Sequence, residues 1–191
     1  MAVTYTNRRG KTYYLHQGVT KKGNPKYYFA LRSEGDLAEV IPSGYEIYEN
    51  PNAQVFLRRI RPQVITDEEV KIVEKGLQQY CRIKNCLVDV KKNVISIHTP
   101  DQNVDRLAAS LSFFPGTHEE KVQLVSREAL TYSPMLQFVL VDKKQRLFET
   151  QRYCFLGAID DWIMIGTVGE LPELVKTYVP HLGEESYFEL Y

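Results

Sequence analysis

The sequence predicts an α+β protein in which antiparallel strands dominate. Short apolar runs bounded by turn residues outnumber the stretches with helical periodicity, and such runs are typical of strands. Every readable connection between neighbouring runs has the length of a hairpin, which pairs strands antiparallel. The 191 residues are 43% hydrophobic and 12% aromatic, enough to build a buried core. We therefore expect a small basic N-terminal antiparallel β module, followed by an antiparallel sheet with about three helices.

Charge is divided unevenly between the two ends, although the formal net charge is zero. Residues 1–33 contain seven Lys and Arg and no Asp or Glu. Residues 1–62 hold 10 basic and 5 acidic side chains, whereas residues 101–191 hold 8 and 14. Either the basic end contacts a polyanion or an acidic surface, or the two ends attract each other within the fold.

Two hairpins are predicted in the basic part of the chain. The first turns through residues 17–25, which place Lys21 and Lys22 at its tip. The second turns at Asn50-Pro-Asn52. Residues 1–10 are polar and are expected to fray. The four predicted strands, which would form one small sheet, span residues 11–16, 26–31, 45–48 and 54–60.

A domain boundary is predicted at Arg61-Pro62, where the second hairpin ends. The chain is long enough for a small module and a domain of ordinary size. The boundary gives a basic tyrosine-rich β module over residues 1–62 and an α+β domain over residues 63–191.

Three helices are predicted, and the first is the best defined. Thr66 and Glu69 have the spacing of a capping box, and apolar residues follow at helical spacing. Thr99 and Pro100 indicate the start of a second helix, because proline fits the first helical position. A third helix is expected over residues 171–182.

The most apolar stretch, residues 152–167, holds the single tryptophan and is expected to anchor the core. The pattern around it predicts a meander of antiparallel strands with a turn at Asp160-Asp161. Residues 117–134 fit both a helical and a strand pattern. The predicted strands in this half span residues 87–90, 94–98, 136–141, 147–150, 153–159, 162–167 and 187–191.

Two segments of the chain, residues 41–52 and 160–190, resemble uncharacterised bacterial proteins that have no named activity. The first reads Ile41-Pro-Ser-Gly-Tyr-Glu-Ile-Tyr-Glu-Asn-Pro-Asn52, and the second runs from Asp160-Asp-Trp-Ile to Phe188-Glu-Leu. The resemblance implies a bacterial cytosolic origin and carries over no catalytic residue.

The N-terminal strands combine tyrosines with lysines, a composition that suits contact with nucleic acid. Cations hold phosphates, and aromatic faces stack on bases. Neighbouring strand residues point to opposite faces, so one tyrosine of each Tyr-Tyr pair can stay at the surface. The same composition also fits a small sheet whose tyrosines pack while their hydroxyls remain wet. The candidate contact residues for nucleic acid or an acidic partner are Lys11, Tyr13, Lys21, Lys22, Lys26, Tyr28, Arg58 and Arg59.

No recognised catalytic motif occurs, and no catalytic residue, metal ligand or cofactor is assigned. Three cysteines are an odd number, and their spacing matches no standard zinc site, so free thiols in a reducing cytoplasm are expected. Asp160-Asp161 is best explained as a turn, and His98 and His118 as a strand end and a helix cap. The cysteines are Cys81, Cys86 and Cys154.

The composition therefore favours a non-catalytic bacterial binding protein whose basic, aromatic N-terminal sheet contacts nucleic acid or an acidic partner. Two alternatives are a protein-interaction or oligomerisation module and an enzyme whose site has no local motif. The N-terminus lacks the features of a signal peptide, and no apolar run is long enough for a membrane helix, so a cytoplasmic location is expected.

Overall fold

The computed structural model of the protein describes residues 1–155 and 159–191. The chain forms two compact units. Unit 1 consists of Met1–Arg61 and Asn103–Leu130, and unit 2 of Pro62–Gln102 and Thr131–Tyr191. Each unit combines antiparallel strands with helices, so the predicted α+β class is confirmed. The predicted division into a β module over residues 1–62 and an α+β domain over residues 63–191 stays a prediction.

The helices and strands follow one another along the chain as follows. They are β1 (Thr4–Thr6), β2 (Thr12–Val19), β3 (Pro25–Ala30), β4 (Tyr45–Glu49), β5 (Val55–Arg59), α1 (Asp67–Tyr80), β6 (Leu87–Lys91), β7 (Val94–Pro100), α2 (Val104–Ser110), α3 (His118–Glu128), β8 (Tyr132–Asp142), β9 (Leu147–Cys154), β10 (Asp161–Glu170) and α4 (Leu171–Tyr178). Two short 3-10 helices, Val179–His181 and Glu185–Glu189, complete the chain.

The N-terminal strands of unit 1 form two sheets instead of the single four-stranded sheet that was predicted. One has the order β1–β2–β3, and the other is the β4–β5 hairpin. β3 and β5 lie side by side without sharing a ladder. Both predicted hairpins are present, because each turn is encoded locally by Gly, Asn or Pro.

The first residues of unit 1 are ordered, contrary to the expectation that residues 1–10 fray. Tyr5 pairs with Tyr13 across β1 and β2, and the Tyr5 hydroxyl donates to Glu49 at 2.9 Å. The buried Asn7 amide donates to the carbonyl of Ala53 at 2.7 Å. These partners lie up to 46 residues away, so the polar composition of the segment gave no sign of them.

Two helices complete unit 1. Asn103 caps α2 by accepting the Arg106 amide, and Thr117 and Glu120 form a capping box at α3. The two helices pack against each other. The Arg9 guanidinium donates to the carbonyl of Leu130, which ties the start of the chain to the end of this helical segment.

Unit 2 is a five-stranded antiparallel meander with the order β10–β9–β8–β7–β6. One face of the sheet joins α1 and α4 in a single apolar core. Strand residues on this face pair directly, as Ile97 does with Leu136 and Leu140 with Phe148. The fully buried strand residues of the core are Ile95, Ile97, Leu136, Phe138, Leu140, Phe148 and Ile165.

The capping box predicted for α1 is present. The Thr66 hydroxyl accepts the Glu69 amide at 3.3 Å, and the Glu69 carboxylate accepts the Thr66 amide at 2.8 Å. Glu69 also accepts from the guanidinium of Arg146, so one buried carboxylate serves the helix end and the β8–β9 turn.

The second predicted helix starts later than Thr99 and Pro100. Both residues belong to β7, where Thr99 pairs with Ser133, and α2 begins only after the cap at Asn103. Pairing with β8 buries Thr99 and satisfies its backbone, which outweighs the local preference for a cap.

The C-terminal part departs from prediction in three places. The strands predicted over 147–150 and 153–159 are one strand, β9, which ends at Cys154, and residues 156–158 lie outside the described chain. The helix predicted over 171–182 is α4 followed by a 3-10 turn, because Pro180 has no amide to continue it. The predicted strand over 187–191 was wrong, since this end is mainly a 3-10 helix. The ambiguous segment 117–134 divides into α3 and the start of β8.

Candidate functional site

The tip of the β2–β3 hairpin presents two lysines. Thr20 closes it, because its carbonyl accepts the Gly23 amide and its hydroxyl accepts the Asn24 amide. Gly23 has φ of +80°, which few other residues adopt, and this allows the tight return. Lys21 and Lys22 occupy the turn with exposed side chains.

One face of the β2–β3 pair carries an aromatic stack beside a lysine. We call it the Tyr28 face and define it by Tyr14, His16, Lys26 and Tyr28, which the register places on the same side. The rings of His16 and Tyr28 stack with centroids 5.2 Å apart and planes 12° apart. The Lys26 ammonium lies 5.3 Å from the Tyr28 centroid, within cation–π range.

The histidine of this stack is a fixed support. His16 is 1% exposed, and its Nε2 donates to the carbonyl of Arg32 at 2.9 Å. Tyr28 is 40% exposed, and its ring stacks on the buried His16. The result is a partly exposed aromatic platform that is supported by a histidine and has a cation over it.

The lysines near the platform are electrostatically uncompensated. Within the described part of the chain, Lys21, Lys22 and Lys26 have no carboxylate within ion-pair distance. All three side chains are exposed. Their positive charge is therefore directed to solvent and is free to hold an anion.

Two other predicted contact residues lie apart from the platform. Lys11 is exposed just before β2, where its backbone closes a turn with Asn7. Tyr13 lies on the opposite face of β2, paired with Tyr5, and is partly buried. The structure thus separates Tyr13 from Tyr28, as the alternation of a strand requires.

The two predicted arginines of β5 have partners of their own. Arg58 donates to Glu46 at 2.8 Å and lies 4.2 Å from the Tyr48 centroid. Arg59 points to the other face and lies 5.7 Å from the Tyr45 centroid. Arg58 is therefore neutralised by a carboxylate, and the two arginines do not act on one face.

His16 was not among the contact residues predicted from the sequence. The signal was present in the hairpin register: with the turn at 20–24, strand pairing places His16 opposite Tyr28. The bond from His16 to Arg32 had no such signal, because it depends on how the chain folds back after β3.

Other carboxylates and histidines of the chain have structural partners. Asp160 accepts the Tyr153 hydroxyl at 3.1 Å, and Asp161 accepts the Trp162 amide at 2.7 Å. His118 lies 3.8 Å from Asp105, and His181 lies 2.7 Å from the Ser186 hydroxyl. Among residues 1–155 and 159–191, no three His, Cys, Asp or Glu side chains cluster as metal ligands would.

Comparisons with protein-family models, with curated proteins and with solved structures found no match. In the described parts of the chain, no helix has both the length and the apolar character needed to cross a membrane.

Proposed function

We propose that this protein binds single-stranded nucleic acid, with the Tyr28 face stacking on a base and the hairpin-tip lysines holding phosphates. The observation that supports this most is the exposed Tyr28 ring, backed by His16 and flanked by Lys26 without an acidic partner. A nucleic acid supplies both of the groups that such a surface attracts, an aromatic face and an anion.

A single strand fits this surface better than a duplex does. The bases of a duplex are stacked on one another, whereas a single strand can place a base on an aromatic ring. Base–aromatic stacking contributes about 1–3 kcal/mol and tolerates any base sequence. The proposed binding is therefore not sequence-specific, and it requires no catalytic group.

We place the proposed binding in the cytoplasm of a bacterium. This location rests on the resemblance of residues 41–52 and 160–190 to bacterial proteins and on the composition of the chain. An acidic protein surface is the alternative ligand, and it would use the lysines without the tyrosine ring.

The test is fluorescence anisotropy of labelled single-stranded DNA and RNA with the full chain and with charge-reversed and ring-deleted variants. Replacing Lys21, Lys22 and Lys26 by glutamate should abolish binding. With three phosphate contacts, wild-type affinity should fall about 20-fold between about 50 and 200 mM salt. Tyr28→Ala should weaken binding by about 10-fold, with an unchanged salt dependence, because stacking releases no counterion.

The chain offers a matched control in the β8–β9 turn. Lys143 and Lys144 form another exposed Lys-Lys pair in a hairpin, but they belong to unit 2. Lys143→Glu with Lys144→Glu should bind as the wild type does, and Tyr28→Phe should retain stacking. Equal loss in this control, or unchanged binding by the triple glutamate variant, would refute the proposal. Loss with the lysine variant and none with Tyr28→Ala would refute the stacking contact and leave only an electrostatic contact with phosphates.

A further inference from the structure

Two of the three cysteines lie next to each other in unit 2. The sulfur atoms of Cys81 and Cys86 are 3.9 Å apart, and both residues are half-buried. Cys81 caps α1, where its amide donates to the Leu77 carbonyl, and Cys86 directly precedes β6. The third cysteine, Cys154, is 3% exposed and is shielded from solvent.

The loop between the two cysteines is closed by a contact of the Cys86 sulfur with the Ile83 carbonyl at 3.5 Å and by contacts that do not involve the sulfurs. Asn85, next to Cys86, adopts the left-handed backbone conformation that is common in tight turns, with φ of +63°. Arg82 pairs with Glu184 at 3.1 Å, and Ile83 packs so closely on Gly183 that a side chain there would overlap it. The fold therefore holds the two thiols together, which gives each a high effective concentration at the other.

The hydrogen bond between the two thiols makes them chemically different. The hydrogen bond with the Cys86 sulfur lowers the pKa of Cys81 to about 7, and a backbone hydrogen bond from Ile83 acts in the same direction against the effect of burial. The same sulfur–sulfur bond, together with burial, raises the pKa of Cys86 above its ordinary value. Near neutral pH one sulfur is a nucleophile and the other keeps its proton.

We propose that Cys81 and Cys86 form a redox-active dithiol, in which Cys81 attacks a low-molecular-weight disulfide and Cys86 resolves the product into an intramolecular disulfide. The sulfurs must approach by about 2 Å to reach bonding distance. This site is independent of the nucleic-acid contact proposed for unit 1.

The reaction is an ordinary thiol–disulfide exchange. The Cys81 thiolate bonds to one sulfur of the small disulfide, whose S–S bond breaks and releases one thiolate that takes up a proton. Cys86 then loses its proton and attacks the Cys81 sulfur, which breaks the mixed disulfide and releases the second thiolate. The protein gives up two electrons and two protons, and the small disulfide becomes two thiols.

The test is equilibration of the folded full chain with mixtures of oxidised and reduced glutathione, followed by trapping of free thiols and peptide mass spectrometry. The wild type should form one disulfide between Cys81 and Cys86. Cys86→Ala should stop at a mixed disulfide on Cys81, because the resolving thiol is missing. Cys81→Ala should form much less adduct on Cys86, and Cys154→Ser should behave as the wild type.

A second measurement compares the reactivity of Cys81 in the wild type and in Cys86→Ala. The rate of iodoacetamide reaction at Cys81 in the wild type should reach half its maximum near pH 7, whereas in Cys86→Ala the midpoint should move up by one unit or more. Absence of the intramolecular disulfide under excess oxidised glutathione would refute the proposal. Equal adduct formation on Cys81 and Cys86 in the single variants would also refute it, since the two thiols would then have no distinct roles.

Discussion

The hydroxyl of Tyr187 is a buried polar group that contacts two strands of unit 2. The residue is 1% exposed, and its single O–H proton is shared between the carbonyls of Met135 in β8 and Tyr153 in β9, with Met135 the closer acceptor. The Arg152 guanidinium lies 5.7 Å from the ring centroid. Burial without these bonds would be costly, so the hydroxyl and its acceptors stabilise one another.

We expect Tyr187→Phe to lower the free energy of unfolding by about 1–2 kcal/mol, because the carbonyls of Met135 and Tyr153 lose their shared donor while the ring still fills its place. Urea denaturation measures this change. Tyr191→Phe is the control, since Tyr191 is 88% exposed and the same substitution there should have almost no effect. Equal stability of the two variants would show that the buried bonds contribute nothing.

The same residue should give the protein a signature in alkali. Burial raises the pKa of Tyr187 to about 12, above its ordinary value of 10.0. Folding favours the neutral form of Tyr187. The residue's contribution to the free energy of unfolding is therefore complete below pH 10 and is lost as the pH rises toward 12. In Tyr187→Phe this part of the pH dependence should be absent from denaturation curves recorded between pH 9 and 12.

Single residues show where sequence reasoning ends. Thr66 and Glu69 were predicted correctly, because both partners of a capping box lie within four positions. Arg152 was assigned to an apolar stretch, yet it is 2% exposed and donates to the carbonyls of Phe188 and Leu190. Its acceptors lie 36 and 38 residues later and exist as a pair only after the chain end has folded.

At the scale of elements, α1 and α4 approach closely because Gly76 has no side chain. Gly76 is buried in the middle of α1, and a Cβ there would overlap the side chain of Val175 in α4. Glycine costs a helix interior about 1 kcal/mol relative to alanine, so the residue is kept for packing and not for helix formation.

We expect Gly76→Ala to destabilise the protein by about 1–3 kcal/mol, although alanine is the better helix former, because the added methyl must displace Val175 or separate the helices. Thermal or urea denaturation gives the value. Val175→Ala is destabilising alone but should be less harmful in the Gly76→Ala background, where it makes room for the new methyl. A Gly76→Ala protein that is more stable than the wild type would mean that the two helices are not in close contact.

Elements were predictable where their partners are close in sequence. The β2–β3 and β4–β5 hairpins follow from turns of a few residues, and the α1 cap follows from one tetrapeptide. The boundary at Thr99 and Pro100 was misassigned because the competing partner, β8, begins more than 30 residues later. The Tyr28 face was predictable in part. The hairpin turn determines which residues pair across β2 and β3, but the sequence does not show that the Tyr28 ring is exposed.

For the molecule as a whole, the two folded units carry net charges of opposite sign. Unit 1 contains 13 Lys and Arg and 9 Asp and Glu, a surplus of +4, and unit 2 contains 11 and 15, a surplus of −4. The net charge of zero gives two copies no long-range repulsion. This division favours the second function considered, a module that associates through its own opposite charges.

We therefore expect weak self-association at low salt, between unit 1 of one copy and unit 2 of another. The attraction should be present at about 20 mM salt and largely lost at about 200 mM, because the screening length falls below 10 Å. Sedimentation velocity over a concentration series measures it.

Replacing Lys21, Lys22 and Lys26 by glutamate changes unit 1 from +4 to −2 and should abolish the association. The Lys143→Glu and Lys144→Glu variant makes unit 2 more acidic and should retain it. If a single-stranded oligonucleotide binds the same three lysines, its addition should dissociate the complex. A protein that remains monomeric at low salt would contradict this prediction, and the basic charge of unit 1 would then serve ligands other than a second copy of the chain.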